Sequence, residues 1–100
     1  MTKEEIKNYV DMAYDNRDLN ILSYLAQDIN TTIEFIKEST DIEFYVLSDY
    51  FEDLVYMSNS RILLDSIRER FIKIKDSSLD LKYICQMIEY ASECFPEEEY

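Results

Sequence analysis

The stretch Asp41–Ser60, DIEFYVLSDYFEDLVYMSNS, decides how this chain is read. At 100° per residue its apolar side gathers Phe44, Leu47, Phe51, Leu54 and Val55, the pattern of an amphipathic helix. Thr40 with Glu43 makes a capping box at its start, and Ser58, Asn59 and Ser60 make a turn at its end. One helix is therefore expected from about Thr40 to about Met57. Its opposite side gathers Tyr45, Asp49, Glu52 and Tyr56, at spacings of four, three and four. Solvated helix faces are usually filled with Lys, Glu, Gln and Arg. Tyrosines alternating with carboxylates suit docking instead, because tyrosine offers apolar area and a hydrogen-bonding tip on a stiff side chain. The expected contacts are Tyr45, Asp49, Glu52 and Tyr56, with Asp41 and Asp53 at the rim. The surrounding run Glu38–Ser60 holds six acidic side chains and no Lys or Arg, so the expected visitor is basic.

Outside this stretch the same helical grammar continues. Glycine is absent and Pro96 is the single proline, which argues against tight hairpins and for helices joined by short polar turns. Thr2 with Glu5 opens a first helix whose stripe includes Ile6, Tyr9 and Val10, and which ends at Asn16 and Arg17. Asp18 caps a second, with Leu19, Leu22, Leu25 and Ala26 along one side. Ile29, Ile33 and Ile36 continue that stripe, yet Thr31 with Glu34 reads as a further capping box. A break near Asn30 and a short helix from Thr31 to about Glu38 are expected, although one helix through residues 19–38 fits the stripe too. A further helix runs from about Arg61 to Lys75 over Leu63, Leu64, Ile67, Phe71 and Ile74. Ser77 with Asp80 caps the last, from Ser78 to about Cys94. The fold class is all-α: a compact bundle or short repeat-like stack of five to six amphipathic helices in one domain, 1–95, with a frayed acidic tail at 96–100.

The formal net charge of −12 exceeds the magnitude of about 2–8 typical of a soluble small domain. Nucleic acid and anionic membranes would be repelled, whereas a basic protein would be attracted. An acidic composition with no partner behind it accounts for the same number. The segment 61–75 is the exception, with five bases and two acids. Arg61, Arg68 and Arg70 are expected to offset the acids of the preceding helix within the molecule, to little stabilising effect if exposed. The last helix has two apolar sides, Leu81, Ile84, Ile88 and Phe95 against Tyr83, Met87, Tyr90 and Cys94. Either it packs between neighbours, or its second side is an aromatic patch that joins the docking surface.

Catalytic signatures are missing. Without histidine the chain lacks the commonest general base and metal ligand. Without glycine it has neither a phosphate-binding loop nor a calcium loop. Cys85 and Cys94 lie nine residues apart on one expected helix, roughly 13.5 Å along its axis. A disulfide needs alpha carbons within about 7 Å, so reduced thiols are expected. No apolar run approaches the roughly 20 residues of a membrane span, and no signal peptide is visible. The sequence reads as cytoplasmic and non-enzymatic, without cofactor or metal; it leaves the oligomeric state open.

The segment Tyr45–Phe95 resembles the second half of small acidic immunity proteins that accompany bacterial contact-dependent and polymorphic toxins. The resemblance lies in VLSDYFEDLVYMSNSRILLDSIRERFIKIKDSSLDLKYICQMIEYA. Leu47, Ser48, Asp49, Phe51, Glu52 and Asp53 occupy the places of a leucine-serine-acid-x-phenylalanine-acid-acid helix in that family. A polar turn and two further amphipathic helices follow. The resemblance implies stoichiometric binding of a cognate protein toxin domain, basic in surface as a nuclease is. Two other readings fit the residues: an acidic nucleic-acid mimic that inhibits a DNA-binding enzyme, and a non-catalytic helical adaptor that docks through the second side of the last helix.

Overall fold

Side-chain caps punctuate this glycine-free chain. The computed structural model describes residues 2–15 and 21–95, and the expected helix ends at Asn16 and Arg17, the cap at Asp18, Leu19 and the tail 96–100 lie outside the described residues. Among the described residues seven helices are present and no strand: α1 Lys3–Asp15, α2 Ile21–Gln27, α3 Ile29–Glu38, α4 Asp41–Ser48, α5 Phe51–Ser58, α6 Arg61–Ile72 and α7 Leu81–Ser92. The all-α reading holds.

Two expected capping boxes are formed. The Glu5 amide donates to Thr2 Oγ1 and the Thr2 amide to Glu5 Oε1, both at 3.2 Å. The Glu43 amide donates to Thr40 Oγ1 at 3.2 Å and the Thr40 amide to Glu43 Oε1 at 2.9 Å. Two others are replaced. Asp28, not Thr31, caps α3: it accepts from the Thr31 amide at 3.3 Å and from the Thr31 hydroxyl at 2.8 Å. That leaves α2 and α3 as separate helices with the break two residues earlier than expected. Asp80 caps α7 through the Tyr83 amide at 3.0 Å. Ser78 is held in a turn by Asp76 Oδ1, which accepts from its amide and hydroxyl, so the last helix starts three residues later than expected. Asn59 closes α5 in the left-handed region, φ 50°, and its amide donates to the Val55 carbonyl. Asparagine tolerates that region better than other residues with a Cβ, which is why the turn works without glycine.

The single helix expected over Thr40–Met57 is two, which raises the helix count to seven. The Ser48 hydroxyl donates to the Tyr45 carbonyl at 2.5 Å, and the Tyr50 amide reaches back only three residues, to Leu47. A side-chain donor thus intrudes where the ladder of a continuous helix would run, a recognised cause of bending. The elbow turns Tyr50 into the core, at 2% exposure. Phe44, Leu47, Phe51, Leu54 and Val55 are all fully buried on the far side of it, as their spacing requires.

Around them α5 packs on α7, α3 on α6, and α1 across α3 and α4. Ile6, Val10, Leu25, Ile36, Leu63, Leu64, Ile67, Ile84 and Ala91 complete one continuous apolar cluster. Ion pairs at 2.6 Å (Lys3–Glu38) and 2.8 Å (Lys7–Glu43) tie α1 to its two neighbours.

Candidate functional site on α5 and α7

The elbow at Asp49–Tyr50 divides the expected outer stripe. Its first half faces inward. Tyr45 is half-buried, its ring edge-on to Tyr83 of α7 with centroids 6.3 Å apart. Asp49 is half-buried and accepts a hydrogen bond from the Tyr83 hydroxyl. These two residues join α4 to α7 and offer a visitor only part of their surface.

Asp41, expected at the rim, has both carboxylate oxygens engaged inside the molecule. Oδ1 accepts from Arg70 Nη2 at 2.6 Å; Oδ2 accepts from the amides of Lys75 and Asp76, each at 3.0 Å. Arg70 is itself buried and also donates through Nε and Nη2 to the Ser39 carbonyl, at 3.2 and 2.9 Å. The pair therefore ties the turn before α4 to the chain leaving α6. Of the three arginines expected to offset the acids of the preceding helix, Arg70 does so from the interior, against Asp41. Arg68 lies 3.8 Å from Asp65 and donates to the Ser92 hydroxyl at 2.8 Å, and Arg61 sits over the Phe95 ring at 5.3 Å.

Arg70 holds the Asp41 carboxyl below the usual carboxylate range, chiefly by its hydrogen bond, helped by the Lys75 amide and opposed by burial. Glu43 is lowered too: burial works against ionisation, and the hydrogen bonds from Lys7 and the Thr40 amide outweigh it. A carboxyl whose folded pKa lies below its unfolded one stabilises the fold above the unfolded value, about 3.9 for Asp and 4.3 for Glu, and ceases to do so as pH falls through the folded value. Above about pH 5 both carboxyls stay ionised in the folded and unfolded states. The urea midpoint is thus expected to hold down to about pH 5 and to fall steeply below about pH 4. An Asp41→Asn variant, less stable at pH 7, should show a shallower acid fall; an equally steep one would remove Asp41 from the account.

The second half of the stripe is open to solvent. Glu52 and Asp53 are exposed at the start of α5, and Tyr56 is 76% exposed one turn further on. Opposite them, α7 and the turn after it present Tyr90, Glu93 and Cys94. Together with Asn59 these groups line a cleft of about 370 Å³, bounded by Glu52, Tyr56, Asn59, Tyr90, Glu93 and Cys94. The Tyr90 hydroxyl accepts from Gln86 Nε2 at 2.8 Å, which steadies the ring. Met57, 52% exposed, follows Tyr56 in sequence. The second side of the last helix accordingly divides: Tyr83 packs against Tyr45 and Met87 against the core, Cys94 both touches the core and borders the cleft, and Tyr90 borders the cleft. The spacing of Tyr83, Met87, Tyr90 and Cys94 marks that side in the sequence; its meeting with Glu52 and Tyr56 depends on how α5 packs against α7.

Cys85 is exposed and Cys94 half-buried, both free thiols. Burial pushes the Cys94 thiol up, and the charges of Glu52 and Glu93 push it further, so both carboxylates act on the cleft where it lies. Among the described residues no three His, Cys, Asp or Glu side chains are grouped to hold a metal ion, and no helix is long and apolar enough to cross a membrane. No protein-family model, curated protein or solved structure matches this chain.

Proposed function

We propose that this chain is an immunity protein: it binds a cognate bacterial toxin domain with a basic surface, inside the producing cell, and neutralises it stoichiometrically without chemistry of its own. The observation that carries this reading is the open half of the stripe. Tyr56 stands 76% exposed beside Glu52 and Asp53, and neither acid is ion-paired among the described residues. An exposed tyrosine one turn from unpaired carboxylates is a poor way to solvate a helix and a good way to receive a cationic partner. The net charge of −12 adds a long-range field that would steer such a partner and raise its association rate. The likeness of Tyr45–Phe95 to acidic immunity proteins supports the same reading. A nucleic-acid mimic would want phosphate-like rows of acids, and tyrosines interrupt the row here.

The test is rescue in cells. Expression of this chain is expected to restore growth to bacteria producing the toxin domain encoded beside it. A Glu52→Lys/Tyr56→Ala variant should weaken binding by at least a hundredfold, the scale of one lost tyrosine anchor combined with a reversed contact charge. Both side chains are exposed, so the variant should keep its helical circular dichroism. Undiminished affinity in a folded double variant would reject this surface, and absence of rescue by the parent chain would reject the function.

A further inference from the structure

We infer that the cleft between α5 and α7 is a receptor for one arginine side chain of the partner; this deepens the function proposed above and rests on it. Three properties of the cleft select a guanidinium. It has acidic groups on both walls, Glu52 from α5 and Glu93 from the turn after α7. It has a ring on both walls, Tyr56 and Tyr90, and both are exposed large side chains, at 76% and 36%. Its volume of about 370 Å³ is near the low end for a ligand pocket, the size for one side chain and not for a helix laid in a groove. A guanidinium is flat, stacks on aromatic faces, and points its N–H donors outward in its own plane, where carboxylates accept them two at a time.

Competing occupants fit less well. A trimethylated ammonium has no N–H donor for the two glutamates and is usually enclosed by an aromatic cage, whereas two rings line the cleft among the described residues. A lysine ammonium satisfies a carboxylate as a point charge but gains little from two exposed rings unless desolvated. An apolar side chain would leave Glu52 and Glu93 at the cleft with no cation to answer them. Cys94 lines the same cleft, and burial, then the negative charges of both glutamates, push its thiol up. Gln86 holds the Tyr90 hydroxyl from outside the cleft, so the ring is positioned before any visitor arrives.

The decisive experiment uses a small probe and no toxin. The full chain, with its tyrosine rings isotopically labelled, is titrated at physiological salt with the capped pentapeptide Gly-Gly-Arg-Gly-Gly. Parallel titrations use the same peptide with lysine, trimethyl-lysine or uncharged citrulline in place of arginine. Expected are saturable shifts of the Tyr56 and Tyr90 ring signals, at least tenfold tighter for arginine than for citrulline and tighter than for either lysine form. A Glu52→Gln/Glu93→Gln variant, isosteric and exposed at both positions, should abolish the preference for arginine and leave the rest of the spectrum in place. Shifts spread evenly over the acidic surface, tighter binding of trimethyl-lysine, or an unchanged preference in the double glutamine variant would each overturn the assignment. Cellular rescue separates this result from the function: a cleft that selects arginine in a chain that rescues no toxin sinks the immunity reading alone. A chain that still rescues with Glu52→Gln/Glu93→Gln in place, at undiminished affinity, sinks the cleft alone.

Discussion

Replacing Arg70 by alanine is expected to cost about 3–5 kcal/mol of stability, the scale for breaking one side of a buried ion pair. Arg70 is 9% exposed and makes three hydrogen bonds, two to the Ser39 carbonyl and one to Asp41. Its removal leaves the Ser39 carbonyl without those donors and Asp41 with only two backbone amides. It also strips the side chain whose guanidinium carbon lies 5.6 Å from the Phe44 ring centroid. A domain of this size is stable by only about 5–15 kcal/mol, so the variant should unfold at much lower urea and melt on the order of 15–30 °C earlier. Arg70→Lys should recover only part of the loss, because a lysine ammonium lacks the fork that meets Ser39 and Asp41 together. Arg70 Nη1 is buried without a partner, so even the parent arrangement carries an unsatisfied donor. An Arg70→Met/Asp41→Leu chain should therefore lie much closer to the parent than Arg70→Ala does, since well-packed apolar replacements of buried pairs are often neutral. Equilibrium urea unfolding followed by circular dichroism reads all three variants against the parent. A loss below about 1 kcal/mol for Arg70→Ala would mean that solvent reaches the pair.

How much of this was legible beforehand follows the range of the interactions involved. The all-α class rests on local features, an absence of glycine and a succession of caps, and the boxes at Thr2–Glu5 and Thr40–Glu43 formed as read. The five apolar residues of the central stretch are buried because a periodicity of 3.6 survives a mild elbow. The elbow itself was invisible, since neither glycine nor proline marks it; only Ser48, with a hydroxyl able to reach the Tyr45 carbonyl, hints at it. Asp28 and Asp80 took over two helix starts because each aspartate caps a different amide three residues on, that of Thr31 and that of Tyr83, and so moves the cap three residues along the chain from the expected hydroxyl residue. Arg70 reads as offsetting the acids of the preceding helix, and its pair with Asp41 does so, while that reading leaves its burial open. Its position marks that burial: seven residues after Leu63 and three after Ile67, it lies on the buried side of α6. The candidate site was half legible. Glu52, Asp53 and Tyr56 point outward as the helical wheel places them, whereas Asp41, Tyr45 and Asp49 are drawn inward by Arg70 and Tyr83, more than 25 residues away. Glu93 joins the site from still further along the chain, and nothing local signals that.

Phe44→Ala is expected to cost about 3–5 kcal/mol, the range for emptying a buried phenylalanine site that cannot fully collapse. Phe44 is fully buried, its ring tilted at 53° against Phe51 with centroids 5.0 Å apart. One of these rings belongs to α4 and the other opens α5, so their contact spans the elbow and fixes the angle between the two helices. That angle decides where Glu52 and Tyr56 stand relative to Tyr90 and Glu93. The variant should therefore lose more than stability. At temperatures where it remains folded, the arginine peptide should bind it more weakly than the parent, although Phe44 lies in the core and the cleft keeps every one of its lining side chains. Phe44→Leu keeps most of the apolar volume and is expected to cost about half as much, the remainder reflecting the lost ring contacts with Phe51 and Arg70. Phe44 and Arg70 substitutions should then be non-additive by about 0.5–3 kcal/mol, because each removes the other's partner. Additive losses, with peptide affinity unchanged in Phe44→Ala, would mean that the elbow is set by its backbone turn at Asp49–Tyr50 and not by the aromatic pair beneath it.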